Sequence, residues 1–558
     1  MRHLSIDIET KSSVDIGKAG LYRYAQSDDF EILLFAYRYG NEEVRIIDLA
    51  QGEKIPEAIV EDLKNSSIMK HAYNAAFEWY CLNRAGYMTP LGQWKCTMVH
   101  GLYCGYTAGL DATGKAIGLP QDKRKLATGK ALIRYFCVPC KPTKSNGNRS
   151  WNLPKHAPEK WELFKEYCRQ DVVTESAILA RLDAFPVPDE EEKLWQMDIR
   201  MNAFGVKVDS ELIRGALQVN EQSTILLETE AKEITGLDNP NSSAQLLDWI
   251  HKHGVEMDNL QKATVAEKLS DTLPDDVKRA LEIRQQLGKT SIKKYVAMDV
   301  AKGNDDRVRG LTQYYGANRT GRWAGRLVQM QNLPRNYIKS LDYARKLVKA
   351  QNYDGIKLLY GNVPDTLSQL IRTAFIPSEG NKFVVADFSA IEARVIAWLA
   401  GETWVNEVFA THGKIYEATA SQMFHVPIEK IAKGNPEYAL RQKGKVATLA
   451  LGYQGGSNAL IAMGALNMGL SEEELPDIVH RWRTAVAVNS DGTFSKEITL
   501  VNGSNTITVV AKDKAGKTTT VTRKVTLDTG APVFKGITLT PNPVDCGKTF
   551  IISVKVTD

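Results

Sequence analysis

The sequence predicts an α/β domain, then an α+β body, then an all-β tail, and three observations carry that reading. The chain opens on LSIDIET, where Leu4, Ile6 and Ile8 alternate with Ser5, Asp7 and Glu9, the period of a half-buried strand, and helical segments follow it. From Leu194 apolar residues recur at helical spacing through Met197, Met201 and Phe204 until Gly205 ends the run. All ten tryptophans lie at or before Trp482. From Val486 the chain is rich in Thr, Val and Gly. Turn signals at Asp491-Gly492, Asn502-Gly503 and Lys514 to Gly516 separate alternating runs (Ile507, Val509, Ala511; Val521, Val525, Leu527), the pattern of an antiparallel, sandwich-like module.

Length and composition bound the function. A chain of 558 residues has room for three or four domains. At 43% hydrophobic and 25% charged it is an ordinary globular sequence. A net charge of only +5 means that any nucleic-acid surface must be a local patch. Seven scattered cysteines suit a reducing cytosol and not a disulfide framework. Cys137 and Cys140 have the spacing of half a zinc site, but without a second pair they read as packing. The N-terminus begins on a strand without a secretory pattern, and no apolar run is long enough to span a membrane. The expectation is a monomer in a reducing cytosol with no membrane partner.

In the N-terminal part, Asp7 and Glu9 share one strand face about 7 Å apart, either as metal ligands or as a polar, solvated face. HAYNAAFEWYCL places Glu78 at the start of a predicted helix, and in EYCRQDVV Tyr167 and Asp171 lie four apart on another. Together these residues resemble the three motifs of the DEDD proofreading exonucleases of the tyrosine subtype, with Glu78 where many members have Asp. The resemblance implies that residues 1–187 form an RNase H-like 3′–5′ exonuclease. It also implies that Asp7, Glu9, Glu78 and Asp171 hold two Mg²⁺ ions, with Mn²⁺ as a substitute, and that Tyr167 orients the attacking water in two-metal phosphodiester hydrolysis. The basic run from Asp122 to Lys130 reads as a DNA-backbone contact or a solvated loop.

Acidic punctuation at Pro188 to Glu192 marks a boundary. NPNSSAQLLDWI from Asn239 predicts a capped amphipathic helix, and Leu281 to Tyr295 predicts another. Lys289, Lys293 and Lys294 on that second helix are phosphate-tracking or simply solvated lysines. YYGANRTGRWAGRLVQMQNLPR (Tyr314 to Arg335) is polar, lacks apolar period and reads as outside the core.

The run Phe383 to Ala386 predicts a buried strand that delivers Asp387, and Ile391, Val395, Ile396 and Leu399 predict the helix after it. On that stretch alone Asp387 is a metal ligand or a helix N-cap. DFSAIEAR resembles the first polymerase motif of the family A DNA polymerases. RQKGKVATLALGYQGG matches their nucleotide helix at Arg441, Lys445 and Tyr453, with Leu449 in place of Phe. Arg441 and Lys445 share a helix face and could reach one triphosphate. HGKIYEATASQMF resembles the fingers segment. The resemblance implies that Asp387 is a metal ligand, that Glu392 sits at the sugar of the incoming nucleotide, and that Arg322, Gln331 and Asn332 contact the primer end in the minor groove. The implied domains are a thumb and N-terminal palm over 188–376 and a palm motif with partial fingers over 377–485. The implied partners are primer-template DNA and deoxynucleoside triphosphates.

The match stops near Ala485. The family's second palm carboxylate, in a V-H-D-E type motif, is missing, since no His occurs after His480. The expectation is a phage-type polymerase that replicates DNA and proofreads but is weakened or inactive in synthesis, with no 5′-nuclease domain ahead of it. Residues 486–531 resemble the end of a bacterial Ig-like domain and 532–558 the opening of a second. They are suited to protein or carbohydrate partners, and are either a genuine fusion or a join of unrelated fragments. The alternatives are a Mg²⁺-dependent exonuclease only, and an adhesive or structural protein defined by the tail.

Overall fold

The computed structural model describes residues 2–452, 455–466 and 470–484. In the tail it describes 498, 500, 501, 503–512, 518–527, 533–540 and 551–557. The chain divides into two compact units, Met1–Phe383 and Val384–Asp558. No described helix is long and apolar enough to cross a membrane.

The first unit is built on a five-stranded sheet of order β3-β2-β1-β4-β5. Its strands are β1 (Arg2–Lys11), β2 (Glu31–Tyr39), β3 (Arg45–Asp48), β4 (Ile68–Ala72) and β5 (Trp94–Cys96). β1 runs antiparallel to β2 and parallel to β4. Its Leu4, Ile6 and Ile8 are buried with Phe35, Trp94 and Trp195. The strand is not half-buried as its period suggested. Its other face carries Ser5, Asp7 and Glu9 and is roofed by the helix Pro158–Leu182. Ser176 Oγ of that helix lies 3.2 Å from Ser5 Oγ. The roof is held by an apolar seam in which Trp161, Phe164, Tyr167 and Val172 pack on Leu34 and Ala36. Phe164 is fully buried, and burial of such a ring stabilises by roughly 2–3 kcal/mol. The sequence hides this roof because helix and strand are far apart in the chain.

The helical body packs on the sheet within the same unit. The helix Asp189–Phe204 stops at Gly205, whose φ of 69° lies in the left-handed region; a Cβ there would meet Val308 O at 2.6 Å. The helix Ser210–Thr235 is capped by Asp209, which accepts from Leu212 N at 3.0 Å and pairs with Arg345 and Lys349 at 2.6 and 2.7 Å. Ser242 caps the expected helix Ser243–Lys252.

The helix expected over Leu281 to Tyr295 is broken. One helix, Asp275–Leu287, ends at Gly288, and after a 3₁₀ turn another runs over Lys293–Ala301. Glycine's backbone freedom makes it a weak helix link. Two of the lysines there turn inward: Lys289 pairs with Asp365, and Lys294 donates to Val328 O at 2.6 Å.

In the second unit, the strand expected over Phe383 to Ala386 is absent. Val384 and Val385 are 84% and 91% exposed, and Asp387 follows in an irregular, exposed segment. No strand is described between residues 384 and 484, so this run has no edge to pair with and its amides are left to water. The helix after it forms as expected, over Ile391–Leu399.

The tail forms two separate antiparallel pairs, Gly503–Lys512 with Thr518–Leu527 and Val533–Thr540 with Ile551–Thr557. No sandwich is built among the described residues. Over residues 503–510 of the first strand exposure alternates between half-buried and exposed and none is buried, as expected of a two-stranded ribbon. The turns at Asp491-Gly492 and Lys514 to Gly516 and the join near Ala485 lie outside the described residues.

Candidate active site

β1 and two helices converge on one carboxylate cluster. β1 presents Asp7 and Glu9. Glu78 comes from the first turn of the helix Ala75–Arg84, and Tyr167 and Asp171 come from the roof helix Pro158–Leu182. Glu9, Glu78 and Asp171 are 5–8% exposed, so all the expected exonuclease residues meet in one place. Burial raises Asp7, Glu9 and Glu78 well above the usual carboxylate range, and their neighbours' charge adds to it. Asp171 is raised by burial too, against the opposing pull of Lys125. Two buried oxygens, Glu78 Oε2 and Asp171 Oδ1, have no hydrogen-bond partner. An unpaired buried polar atom is costly. A cluster of hard oxygen donors with unspent lone pairs fits a divalent cation such as Mg²⁺ or Mn²⁺.

Four neighbours in the cluster escaped the sequence reading. Cys168 lies 3.5 Å from Asp7 Oδ2, and one ligand atom each from Asp7, Glu9 and Cys168 fall within 4.8 Å of one another. Glu175, one turn beyond Asp171, is buried and hydrogen-bonded to Thr97 and, at 3.2 Å, to Ser176. Lys125, expected on a DNA-contacting or solvated loop, instead turns inward onto Asp171 and lies 4.6 Å from the Tyr167 ring centroid. Gly129 lies flat on Tyr167, where an added Cβ would fall 1.9 Å from Cε2. Phe164 stacks with the same ring at 6.2 Å, so the tyrosine has little room to retreat. Gly129→Ala is therefore expected to displace Tyr167 and to cut any Asp7-dependent primer shortening by about 10²-fold, with the circular-dichroism spectrum unchanged. Wild-type shortening by that variant would refute the positioning role.

Arg322, Gln331 and Asn332 are exposed on a hairpin, Thr312–Ala317 with Arg322–Gly325, and the 3₁₀ turn Met330–Asn332 after it. The segment is not wholly outside the core, since Tyr314 is 2% exposed. Its anchor is Asp198, which accepts from Thr312 Oγ1 at 2.5 Å and from Tyr314 N and Trp323 Nε1 at 2.9 Å each. Tyr315, Leu327 and Gln329 have positive φ, a strained backbone that such anchoring sustains. Asp198 was readable in principle, because it shares a helix face with the buried Trp195, Ile199 and Asn202.

In the second unit a cleft of about 1480 Å³ is lined by Asp387, Glu392, Tyr416, Glu417 and Arg441, among others. The helix Leu440–Leu451 approaches Ile415–Phe424 closely because Gly444 faces Tyr416 O, where a Cβ would come within 2.2 Å. Arg441 donates to Glu417 at 2.8 Å. Lys445, expected beside Arg441 at one triphosphate, follows it by one turn on the same helix and is half-buried. Tyr453 lies outside the described residues.

Known proteins align with this arrangement. The pattern of DNA polymerase family A matches residues 212–484, and that of glucodextranase domain B matches residues 468–529. The DNA polymerase of Bacillus phage SP02 is 57% identical over 486 residues, which is 87% of this chain and 74% of that protein. The thermostable DNA polymerase I of Thermus aquaticus is 44% identical over 72 residues, 12% of this chain and 9% of that one. The solved POL domain of Pol1 from M. smegmatis, in complex with DNA primer-template and dNTP, superposes with a TM-score of 0.51 at 17% identity. That match covers 87% of this chain and 72% of the other, and it is a likeness of fold. With a relative 57% identical over 74% of its length, the chain belongs to DNA polymerase family A and is an enzyme, a DNA-directed DNA polymerase.

Proposed function

We propose that this polymerase also edits: residues 1–187 hydrolyse the 3′ end of a primer, in the service of phage or prophage DNA replication in a bacterial cytosol, with the chain acting as a monomer. The supporting observation is the cluster of half-buried Asp7 with buried Glu9, Glu78 and Asp171, which holds two unpartnered oxygens. Its substrates are primer-template DNA and, at the polymerase cleft, deoxynucleoside triphosphates, with Mg²⁺ as cofactor. Bound Mg²⁺ lowers the pKa of a coordinated water and offsets charge on the leaving 3′ oxygen. Asp7, Glu9, Glu78 and Asp171 would hold and orient that metal. Tyr167, stacked between Gly129 and Phe164, aligns the attacking water. The roof helix excludes bulk solvent and strengthens each of these interactions.

In synthesis the chain is weak. Asp387 belongs to an exposed, irregular segment, and no second palm carboxylate follows it in the sequence, which favours an exonuclease-only activity. The glucodextranase match overlaps the polymerase match over residues 468–484. The alternating, turn-punctuated sequence after Val486 is what supports reading a polymerase joined to an Ig-like β module suited to protein or carbohydrate.

The test is a 5′-labelled primer on a template with Mg²⁺, with and without the four nucleotides, for the wild type and Asp7→Ala. Shortening that Asp7→Ala abolishes is the expected result. Absence of shortening, or shortening that Asp7→Ala retains, would overturn the editing assignment.

A further inference from the structure

Lys125 sits on the segment that leads into the helix Gly129–Phe136. Gln170, the residue just before Asp171, donates through Nε2 to Asp122 O at 2.8 Å and to Arg124 O at 3.0 Å. Arg124 Nε in turn donates to Leu119 O at 2.7 Å. The segment is thus pinned to the roof helix just ahead of the lysine, and its ammonium has a defined place over the cluster. That place is Asp171 Oδ2, beside the face of Tyr167. The Asp171 side chain is 6% exposed and that of Lys125 27% exposed, so the lysine enters from solvent and reaches a carboxylate that does not.

The charge balance is uneven. Five carboxylates converge, Glu175 included, and among the described residues Lys125 is the ammonium paired with Asp171. Asp171 spends one oxygen on Lys125 while its other oxygen and Glu78 Oε2 are unpartnered. An ion pair this enclosed is stronger than a surface pair. A divalent ion that takes Asp171 as ligand must compete for the same carboxylate.

We propose that Lys125 is a resident counter-cation of this cluster, seated on Asp171 while no divalent metal is bound and displaced when one binds, so that it sets the metal concentration at which the site loads. The inference rests on the metal-dependent editing reading above. Breaking the pair leaves both groups intact: the metal takes the carboxylate oxygen, and the ammonium swings outward on its flexible stem. Once released, it lies on the solvent side, where a phosphate backbone would meet it.

Mn²⁺ titrated into the full chain without DNA, followed by the resonance of the free ion, tests this in wild type, Lys125→Met, Lys125→Arg and Asp7→Ala. Lys125→Met keeps the apolar stem against Tyr167 and removes the charge. It should bind Mn²⁺ about tenfold more tightly, the factor set by a competing pair of about 1.4 kcal/mol. Metal-free, it should melt below the wild type, and the gap should close at saturating Mn²⁺. Lys125→Arg, with its charge kept, should stay within about twofold of wild type. Binding that depends on Asp7 but is equal or weaker in Lys125→Met overturns the counter-cation inference alone. Loss of all Asp7-dependent binding in the wild type overturns the metal-dependent editing reading with it.

Discussion

Asp7→Asn should abolish primer shortening, by about 10³-fold or more, and yet raise the melting temperature of the metal-free protein. The first effect follows from removing a proposed metal ligand on the central strand; loss of one preorganised charged group at a reaction centre costs about 10²–10³ in rate, and on that proposal the group would also hold the cofactor. The second follows from the electrostatics. Asp7, Glu9 and Glu78 are raised by burial first and by neighbouring carboxylate charge second. Asparagine keeps the shape and removes one repelling charge, and each kcal/mol gained is worth roughly 2–4 °C. Differential scanning calorimetry in EDTA reads the shift, and an Asp7→Asn protein that melts below the wild type would refute the argument.

The same shifts fix a pH dependence. A carboxyl raised in the folded state stays protonated where the unfolded chain has already released its proton, so the native state binds more protons. Stability then falls as pH rises, from the ordinary carboxylate pKa of about 4 up through the raised values. The metal-free protein should therefore melt at progressively lower temperature as pH rises above the ordinary carboxylate pKa of about 4, and saturating Mg²⁺ should flatten that slope, since metal binding favours the ionised form. A slope of the opposite sign in EDTA would mean that the cluster is not the dominant titrating element.

How much of this was legible depended on the distance over which each signal acts. The period-two alternation in β1 placed Asp7 and Glu9 on one face, and the four-residue spacing placed Tyr167 beside Asp171. The stop at Gly205 and the cap at Ser242 were readable for the same reason, because each is fixed by a few consecutive residues. Lys125, Cys168, Glu175 and Gly129 were not. Their roles exist only because the roof helix lies over β1 and the 122–129 segment folds inward, and nothing within those short stretches encodes that. The strand over Phe383 to Ala386 failed differently. Its apolar run is real, but a strand is a property of a pair, and the described residues supply no partner. Gly288 lies between them: a glycine inside a helical pattern is a weak link, and here the helix ends at it.

That unpaired run underlies the second large effect, on synthesis. With the four nucleotides and Mg²⁺ present, extension of a primer by this chain should be at least about 10³-fold slower than by a family member with both palm carboxylates, given that one missing charged donor costs about 10²–10³ and that a two-metal clamp also loses an ion. Asp387 borders a cleft with Glu392 and Arg441, the residues proposed to meet the nucleotide. Arg441, however, is held by Glu417 at 2.8 Å, and the segment that carries Asp387 has no sheet to fix its height in the cleft. A metal ligand on irregular, solvated backbone cannot hold the sub-ångström placement that in-line transfer demands. Blocking the editing cluster with Asp7→Ala removes the competing reaction, so the decisive measurement is extension by Asp7→Ala against the double variant Asp7→Ala/Asp387→Ala. The expected result is that the two are indistinguishable and near background. Extension by the single variant that the double variant loses would mean that another acidic side chain completes the site, and the case for a weakened polymerase would fail.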